Sequence, residues 1–150
     1  MRLKWLGLLV LFVLILQPGC QDQVKNSDSK IELNPAVQYW QEYNKGHELI
    51  KMAEGDLNAD GREDTVVIYK IGKEKCRMQA ILNLPSGYRM TGKVPAPVSN
   101  QTLEFKNIDD KPPTEILVSG VKGSYPGYAI FRLEKGELVN LFGENMDKCC

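Results

Sequence analysis

The sequence predicts a mainly β protein of the α+β class, with one short helix followed by two tandem antiparallel β units of about four strands each. From residue 47 onward, short runs rich in β-branched and aromatic residues alternate with Gly, Pro and Asn turns, a pattern typical of strands. Segments 51 residues apart also match each other, which indicates a duplication. With 150 residues, 43% of them hydrophobic, the chain is long enough for one domain with a packed core.

The first nineteen residues are predicted to be an export signal and not part of the fold. Arg2 and Lys4 precede an unbroken apolar run over residues 5–16, which is shorter than the ~20 residues of a membrane-spanning helix. Gly19 followed by Cys20 resembles a bacterial lipobox, in which the cysteine is lipidated and becomes the mature N-terminus. The alternative is plain cleavage near Gly19, which leaves Cys20 as a free thiol. Both interpretations place the domain outside the cytoplasm, and lipidation anchors it to the cell membrane.

Residues 20–31 are polar and are predicted to form a tether between the membrane and the domain, which is expected to span residues 32–146. Nineteen basic and nineteen acidic residues cancel in the whole chain. Cleavage of the leader would remove Arg2 and Lys4 but no acidic residue, so the mature domain is predicted to be slightly acidic. This balance argues against a nucleic-acid partner, which normally selects a basic excess or patch.

A short helix is predicted to begin at Asn34-Pro35, an N-cap residue followed by proline at the first helical position, and to end at Gly46. It carries apolar and aromatic side chains at helical spacing, namely Val37, Tyr39, Trp40 and Tyr43. An aromatic stripe can hold a ligand, but we expect this one to pack against a sheet.

The duplicated part is predicted to contain eight strands, at residues 48–54, 64–71, 77–84, 88–91, 102–106, 115–121, 128–133 and 137–142. Residues 64–67 match residues 115–118 without a gap, so the two units span about 47–98 and 99–143. Each unit has about the strand content of one propeller blade, and two blades cannot close a propeller. The units are therefore expected to pack face to face or curl together, with the helix covering an exposed face or edge.

An acidic loop connects the first two strands of the first unit. It has the form D-x-N-x-D-G-x-x-D, with the candidate calcium ligands Asp56, Asn58, Asp60, the backbone carbonyl of Arg62, and Asp64. Oxygen ligands at alternate positions converge when such a loop curls, and Gly61 allows the sharp turn. The loop resembles the calcium loop between strands in FG-GAP and VCBS repeats, which implies a bound, structural Ca²⁺. The alternative is that these side chains only cap a tight turn through hydrogen bonds to the backbone.

The second unit offers an internal comparison for this loop. Lys111 stands at the position of Asp60, and Pro112 replaces Gly61. A cation in this second loop would meet an ammonium group and a stiff backbone. The second loop is therefore predicted to be free of metal.

Two adjacent cysteines, Cys149 and Cys150, end the chain. A disulfide between neighbouring residues closes a strained ring, whereas an exposed pair of thiols chelates soft ions such as Hg(II), As(III), Cu(I) or Cd(II). A zinc site needs four ligands, and no C-x-x-C is present. Cys76, at the start of a strand, is either a buried core residue or a third thiol for this pair. His47, the only histidine, lies at the helix-to-strand junction and is assigned no function.

The export signal, the small β domain and the terminal sequence Asp147-Lys148-Cys149-Cys150 together resemble the Cys-Cys-COOH (seleno)protein SaoC family, here in its cysteine form. In that family selenocysteine can replace one cysteine of the terminal pair. The resemblance implies a place in selenocysteine-assisted organometal metabolism. It also implies transporter components, a thioredoxin-like (seleno)protein or an organomercurial-lyase-like enzyme as partners.

Three functional hypotheses follow. The first is an exported lipoprotein that binds or relays a soft metal or organometal of the mercury type through Cys149 and Cys150, more a binding protein than an enzyme. The alternative is a calcium-stabilised, FG-GAP-like extracellular interaction module with no metal relay. The third, a thiol oxidoreductase that cycles a Cys149–Cys150 disulfide, lacks the C-x-x-C that normally sets such chemistry. The sequence offers no catalytic triad and no Gly-rich phosphate loop.

Overall fold

The computed structural model describes residues 34–144, which form one helix and nine strands in two antiparallel sheets. The helix is α1 (Pro35–Tyr43). Sheet A contains β1 (Glu48–Gly55), β2 (Asp64–Gly72), β3 (Lys75–Leu84), β4 (Gly87–Met90) and β5 (Val94–Ala96). Sheet B contains β6 (Ser99–Lys106), β7 (Glu115–Lys122), β8 (Tyr125–Glu134) and β9 (Glu137–Glu144). The prediction of a mainly β fold with one short helix is confirmed.

All eight predicted strands are present, with ends that differ from the prediction by at most three residues. β5 is the strand that the sequence did not reveal, because Pro95 and Pro97 interrupt its pattern. β1 to β4 form a meander, and β5 pairs with β3 beyond the end of the short β4. β6 to β9 form a second meander. The duplication therefore corresponds to one sheet per unit.

The ends of α1 are fixed by two asparagines. The Val37 N–H donates to Asn34 Oδ1 at 3.0 Å, as an N-cap requires. At the other end, the Asn44 side chain donates to the Trp40 carbonyl oxygen at 2.9 Å. Val37 and Trp40 are buried against Val67, Tyr69 and Ile81 of sheet A. Tyr39 is half-buried, whereas Tyr43 is 67% exposed. The predicted packing of the aromatic stripe against a sheet is therefore found for all of its residues except Tyr43.

The two sheets meet through opposite faces of the repeated unit. Val66 points into the core between the sheets, and its counterpart at an offset of 51, Leu117, lies on the outer face of sheet B. Val67 faces α1, whereas its counterpart Val118 points into the core between the sheets. The units are therefore stacked in the same orientation, as successive propeller blades are, and α1 covers the face at the beginning of the stack.

The double sheet has two distinct ends. β1 and β6 lie side by side, and a Cβ on Gly55 would stand 2.8 Å from the ring of Phe105, so the strand ends that precede both loops are neighbours. We call this the loop end; it carries residues 56–63 and 107–114. At the opposite, tail end, β3 and β8 begin and β9 finishes, with Glu144 paired to Tyr128.

The predicted leader, the predicted lipidation site Cys20, the whole predicted tether and the terminal cysteines lie outside the described residues. Among residues 34–144, no helix is long and apolar enough to cross a membrane.

Candidate functional site

The acidic loop of the first unit is held by side chains that accept hydrogen bonds from its own backbone. The Asp56 carboxylate accepts from the N–H groups of Asn58 at 3.3 Å, Asp60 at 3.2 Å and Gly61 at 2.8 Å. Asn58 Oδ1 also accepts from the Asp60 N–H at 2.9 Å. Gly61 has φ +81°, so a side chain there would be strained. These bonds define the turn.

Asp64 points away from the loop and into the protein. It is completely buried, and its two oxygens accept from the N–H groups of Leu57 at 3.0 Å and Asn83 at 2.8 Å. Burial raises the pKa of this carboxyl, although both hydrogen bonds act in the opposite direction. Asp64 thereby attaches the loop to β2 and β3.

The remaining candidate ligand, Asp60, is paired with an arginine. Arg62 Nη2 lies 2.7 Å from Asp60 Oδ2, and Arg62 Nε donates to the Asn83 carbonyl at 2.7 Å. Burial alone would raise the pKa of Asp60, but the contacts from Arg62 and the hydrogen bond from Asn58 together outweigh it, and the pKa lies below its ordinary value. The guanidinium thus supplies a positive charge to the loop.

These contacts decide how well the loop fits calcium. Within the part of the chain that the structure describes, no three His, Cys, Asp or Glu side chains are grouped so that they could hold a metal ion. Asp64 would have to give up two backbone hydrogen bonds to become a ligand. The donors as arranged do not form a calcium shell, and they favour the alternative of a turn capped by side chains. Calcium binding stays a prediction.

The second loop is closed by a cationic side chain from β8. Arg132 Nη2 lies 2.6 Å from Asp109 Oδ2, and Arg132 Nε donates to Glu115 Oε1 at 2.8 Å, with a second bond from Nη2 to the same oxygen. Glu115 is 1% exposed, and its other oxygen accepts from the Ile108 N–H at 2.8 Å. Burial would raise the pKa of Glu115, but the bonds from Ile108 and Arg132 lower it further than burial raises it.

Glu115 therefore does in the second unit what Asp64 does in the first, since each accepts from the backbone N–H seven residues before it. Lys111 contributes its backbone N–H to Asp109 at 3.1 Å. The positive charge between the carboxylates comes from Arg132, which no local sequence pattern indicates, because its partners are 17 and 23 residues away.

At the tail end, Cys76 belongs to the core between the sheets. It is 1% exposed, and its Sγ lies 3.9 Å from the Val98 carbonyl oxygen. Burial raises the pKa of this thiol, which disfavours the reactive thiolate. This placement favours the interpretation of Cys76 as a core residue over that of a third metal-binding thiol.

The tail end of sheet B also contains an open pocket of about 440 Å³. Gly120 and Gly127, paired across β7 and β8, contribute to its wall. Its other lining residues include Asn100, Ser119, Val121, Pro126 and Tyr128. The sequence alone gave no sign of this pocket, because its lining residues come from three strands and are individually ordinary.

His47 is exposed, with its ring 5.5 Å from that of Tyr69.

The comparisons with known proteins add no further site. No model of a known family, no curated protein and no solved structure matches the chain.

Proposed function

We propose that this protein is an exported lipoprotein, anchored through Cys20, that captures a soft metal or organometal of the mercury type with Cys149 and Cys150. The observation that carries the proposal is the pair of adjacent thiols that follows a folded β domain, whose own cysteine, Cys76, is buried in the core. The domain would serve as the carrier, and the terminal pair as the metal site.

The chemistry of the pair supports capture by ligand exchange. Soft, polarizable thiolates prefer soft metals, and Hg(II) is satisfied by two of them. Each thiolate that binds displaces one ligand of the incoming metal, such as chloride, while the thiol proton passes to the buffer. No oxidation state changes, so the metal can leave again by exchange with the thiols of a partner.

Relay, rather than turnover, is the role proposed for the terminal pair. The single histidine of the chain, His47, is exposed and is not paired with a nucleophile. The two best-formed carboxylate sites, at Asp64 and Glu115, accept backbone hydrogen bonds at the loop end. Transporter components, a thioredoxin-like (seleno)protein or an organomercurial-lyase-like enzyme, the partners implied by the family resemblance, are the proposed recipients of the metal.

Titration of the reduced protein with Hg(II) and with methylmercury tests the proposal. The chain is compared with a Cys149→Ser/Cys150→Ser variant and with a Cys76→Ala variant as the matched thiol control. We expect tight binding to the unchanged chain and to the Cys76→Ala variant, and a loss of affinity of at least about a hundredfold in the double variant, because the two thiolates are removed. Equal affinity in all three proteins would overturn the proposal.

A further inference from the structure

The outer face of sheet B carries apolar side chains that no described element covers. Leu117 lies opposite Ile130 in the ladder, and Ile130 lies opposite Phe142, so these three form a row across β7, β8 and β9. Phe142 is 53% exposed, and its ring lies 5.8 Å from that of Tyr128. Within residues 34–144, the single helix α1 packs on sheet A instead. We call this surface the open face; its apolar members are Leu117, Val121, Tyr128, Ile130, Val139 and Phe142.

The open face has the area of one half of a specific protein interface. Sheet B has four strands, three of them eight residues long and one ten. With strands about 4.8 Å apart and a rise of about 3.3 Å per residue, the face covers roughly 500 Å² in projection. Two such faces together remove about 1,000 Å² from water, the lower end of the range for specific interfaces. Thr102 and Glu104 of β6 border the apolar row, as the polar rim of an interface does.

The duplication shows what the equivalent face of sheet A does. Leu117 corresponds to Val66 at the offset of 51. Val66 pairs with Ala80, just as Leu117 pairs with Ile130. Val66 and Ala80 are completely buried between the two sheets. The open face is therefore the face with which the repeated unit binds a further sheet, and in sheet B it remains apolar although no described sheet covers it.

The order of the layers determines which surface of a second copy is available. Addition of a copy in the same orientation would place the open face against the surface of sheet A formed by Val67 and Tyr69. That surface is occupied by α1, and both residues are completely buried together with Trp40. The open face of the second copy stays free. Two identical faces meet around a two-fold axis, and such a pairing closes with two copies.

We propose that the protein forms a two-fold dimer through its open faces, with four sheets in one stack and α1 at each end. The charged groups at the loop end of the face are already paired within the chain. Arg132 contacts Asp109 and Glu115, and Lys106 contacts Glu104 at 2.8 Å. The dimer therefore covers the apolar row without separating these pairs. The inference goes beyond metal capture and does not depend on the terminal thiols.

Sedimentation velocity of the reduced full chain, over a range of concentrations, tests the dimer. Two variants place a carboxylate on the open face, Ile130→Glu at its centre and Phe142→Glu at a position that is 53% exposed. Ile71→Glu is the matched control, because Ile71 is 37% exposed and lies on β2 of sheet A. Thermal melting verifies that each variant is folded.

We expect a dimer for the unchanged chain and for Ile71→Glu. Both open-face variants should raise the dissociation constant at least about a hundredfold, because each dimer would bury two carboxylates of like charge. A dimer that neither variant weakens would overturn the proposal, since association would then involve another surface.

A monomeric unchanged chain would overturn the proposal as well, and melting then identifies what replaces it. If Phe142→Glu lowered the melting temperature of the monomer by several degrees, another segment of the same chain would cover the open face. An unchanged melting temperature would assign the face to a different partner.

Discussion

Arg132 donates to the buried carboxylate of Glu115, and this contact links β8 to the start of β7 and closes the second loop. In the first unit, Asp64 accepts from the backbone alone, and Arg62, a residue of the loop itself, pairs with Asp60. The two units thus each have an acidic residue at the start of their second strand, Asp64 and Glu115, with different partners. Its function in both is to attach the loop to the sheet.

The first prediction concerns the stability that Glu115 provides. In a Glu115→Ala variant, the Ile108 N–H and the Arg132 guanidinium lose their buried acceptor. We expect a loss of about 1–3 kcal/mol in the free energy of unfolding, measured by urea denaturation, from the unsatisfied N–H. Glu104→Ala is the control, because Glu104 is an exposed residue of the same sheet paired with Lys106. An equal loss in both variants would contradict the role of Glu115.

The same contact predicts a pH dependence. Arg132 holds the pKa of Asp109 below its ordinary value, and the pKa of Glu115 is lowered as well. Their contribution to stability is therefore fully present above the unfolded-state values of about 4 and is lost as pH falls through the lower folded values. The contribution of Asp64 to stability has the opposite pH dependence, because burial raises the pKa of this carboxyl.

A Glu115→Gln variant separates these contributions, since Asp64 is the same in both proteins. The stability difference between the unchanged chain and this variant should be largest near pH 6 and should shrink toward pH 3. Urea denaturation at the two pH values measures it. A difference that grows on acidification would show that the pKa of Glu115 is raised instead of lowered.

Calcium provides the third prediction. The acidic loop is closed by its own hydrogen bonds, Asp64 is engaged with two N–H groups, and Arg62 already faces Asp60. The capped-turn alternative, which these contacts favour over the calcium site predicted from the sequence, predicts that the melting temperatures in 1 mM Ca²⁺ and in EDTA agree within about 1 °C, because a ligand stabilises only as far as it binds the folded state. An increase of several degrees would establish the calcium site that the loop sequence predicts.

The fourth prediction tests the helix as a cover for sheet A. Trp40 is completely buried, packs 4.9 Å from the ring of Tyr69, and donates through Nε1 to Gln79 Oε1 at 3.2 Å. Trp40→Ala should reduce the free energy of unfolding by about 3–5 kcal/mol, as measured by denaturation. Tyr43→Ala is the matched control, because Tyr43 is 67% exposed, and it should change stability by less than about 0.5 kcal/mol. Similar losses would contradict the packing of α1.

The fold was predictable because local pattern and duplication agree, whereas the contacts between units were not. Strand alternation fixes which residues of β7 share a face, but it does not reveal that Leu117 lies outside while its counterpart Val66 is buried between the sheets. That difference depends on how whole sheets stack. The alternate spacing of oxygen-bearing side chains in the acidic loop likewise predicted a turn on which these oxygens converge. Only the fold reveals that Asp64 points inward to Leu57 and Asn83.

The fifth prediction concerns the role of Cys76. Because this thiol is buried between the sheets and its pKa is raised, a thiol reagent reaches it only when the core opens. In a Cys20→Ser/Cys149→Ser/Cys150→Ser variant, Cys76 should react with an aromatic disulfide reagent at least about a hundredfold more slowly than free cysteine, and urea should abolish this protection. Rapid reaction in the native variant would restore Cys76 as a candidate third ligand for the metal. Slow reaction would leave capture to the terminal pair, since a buried thiol cannot exchange ligands with a partner at the speed that a relay requires.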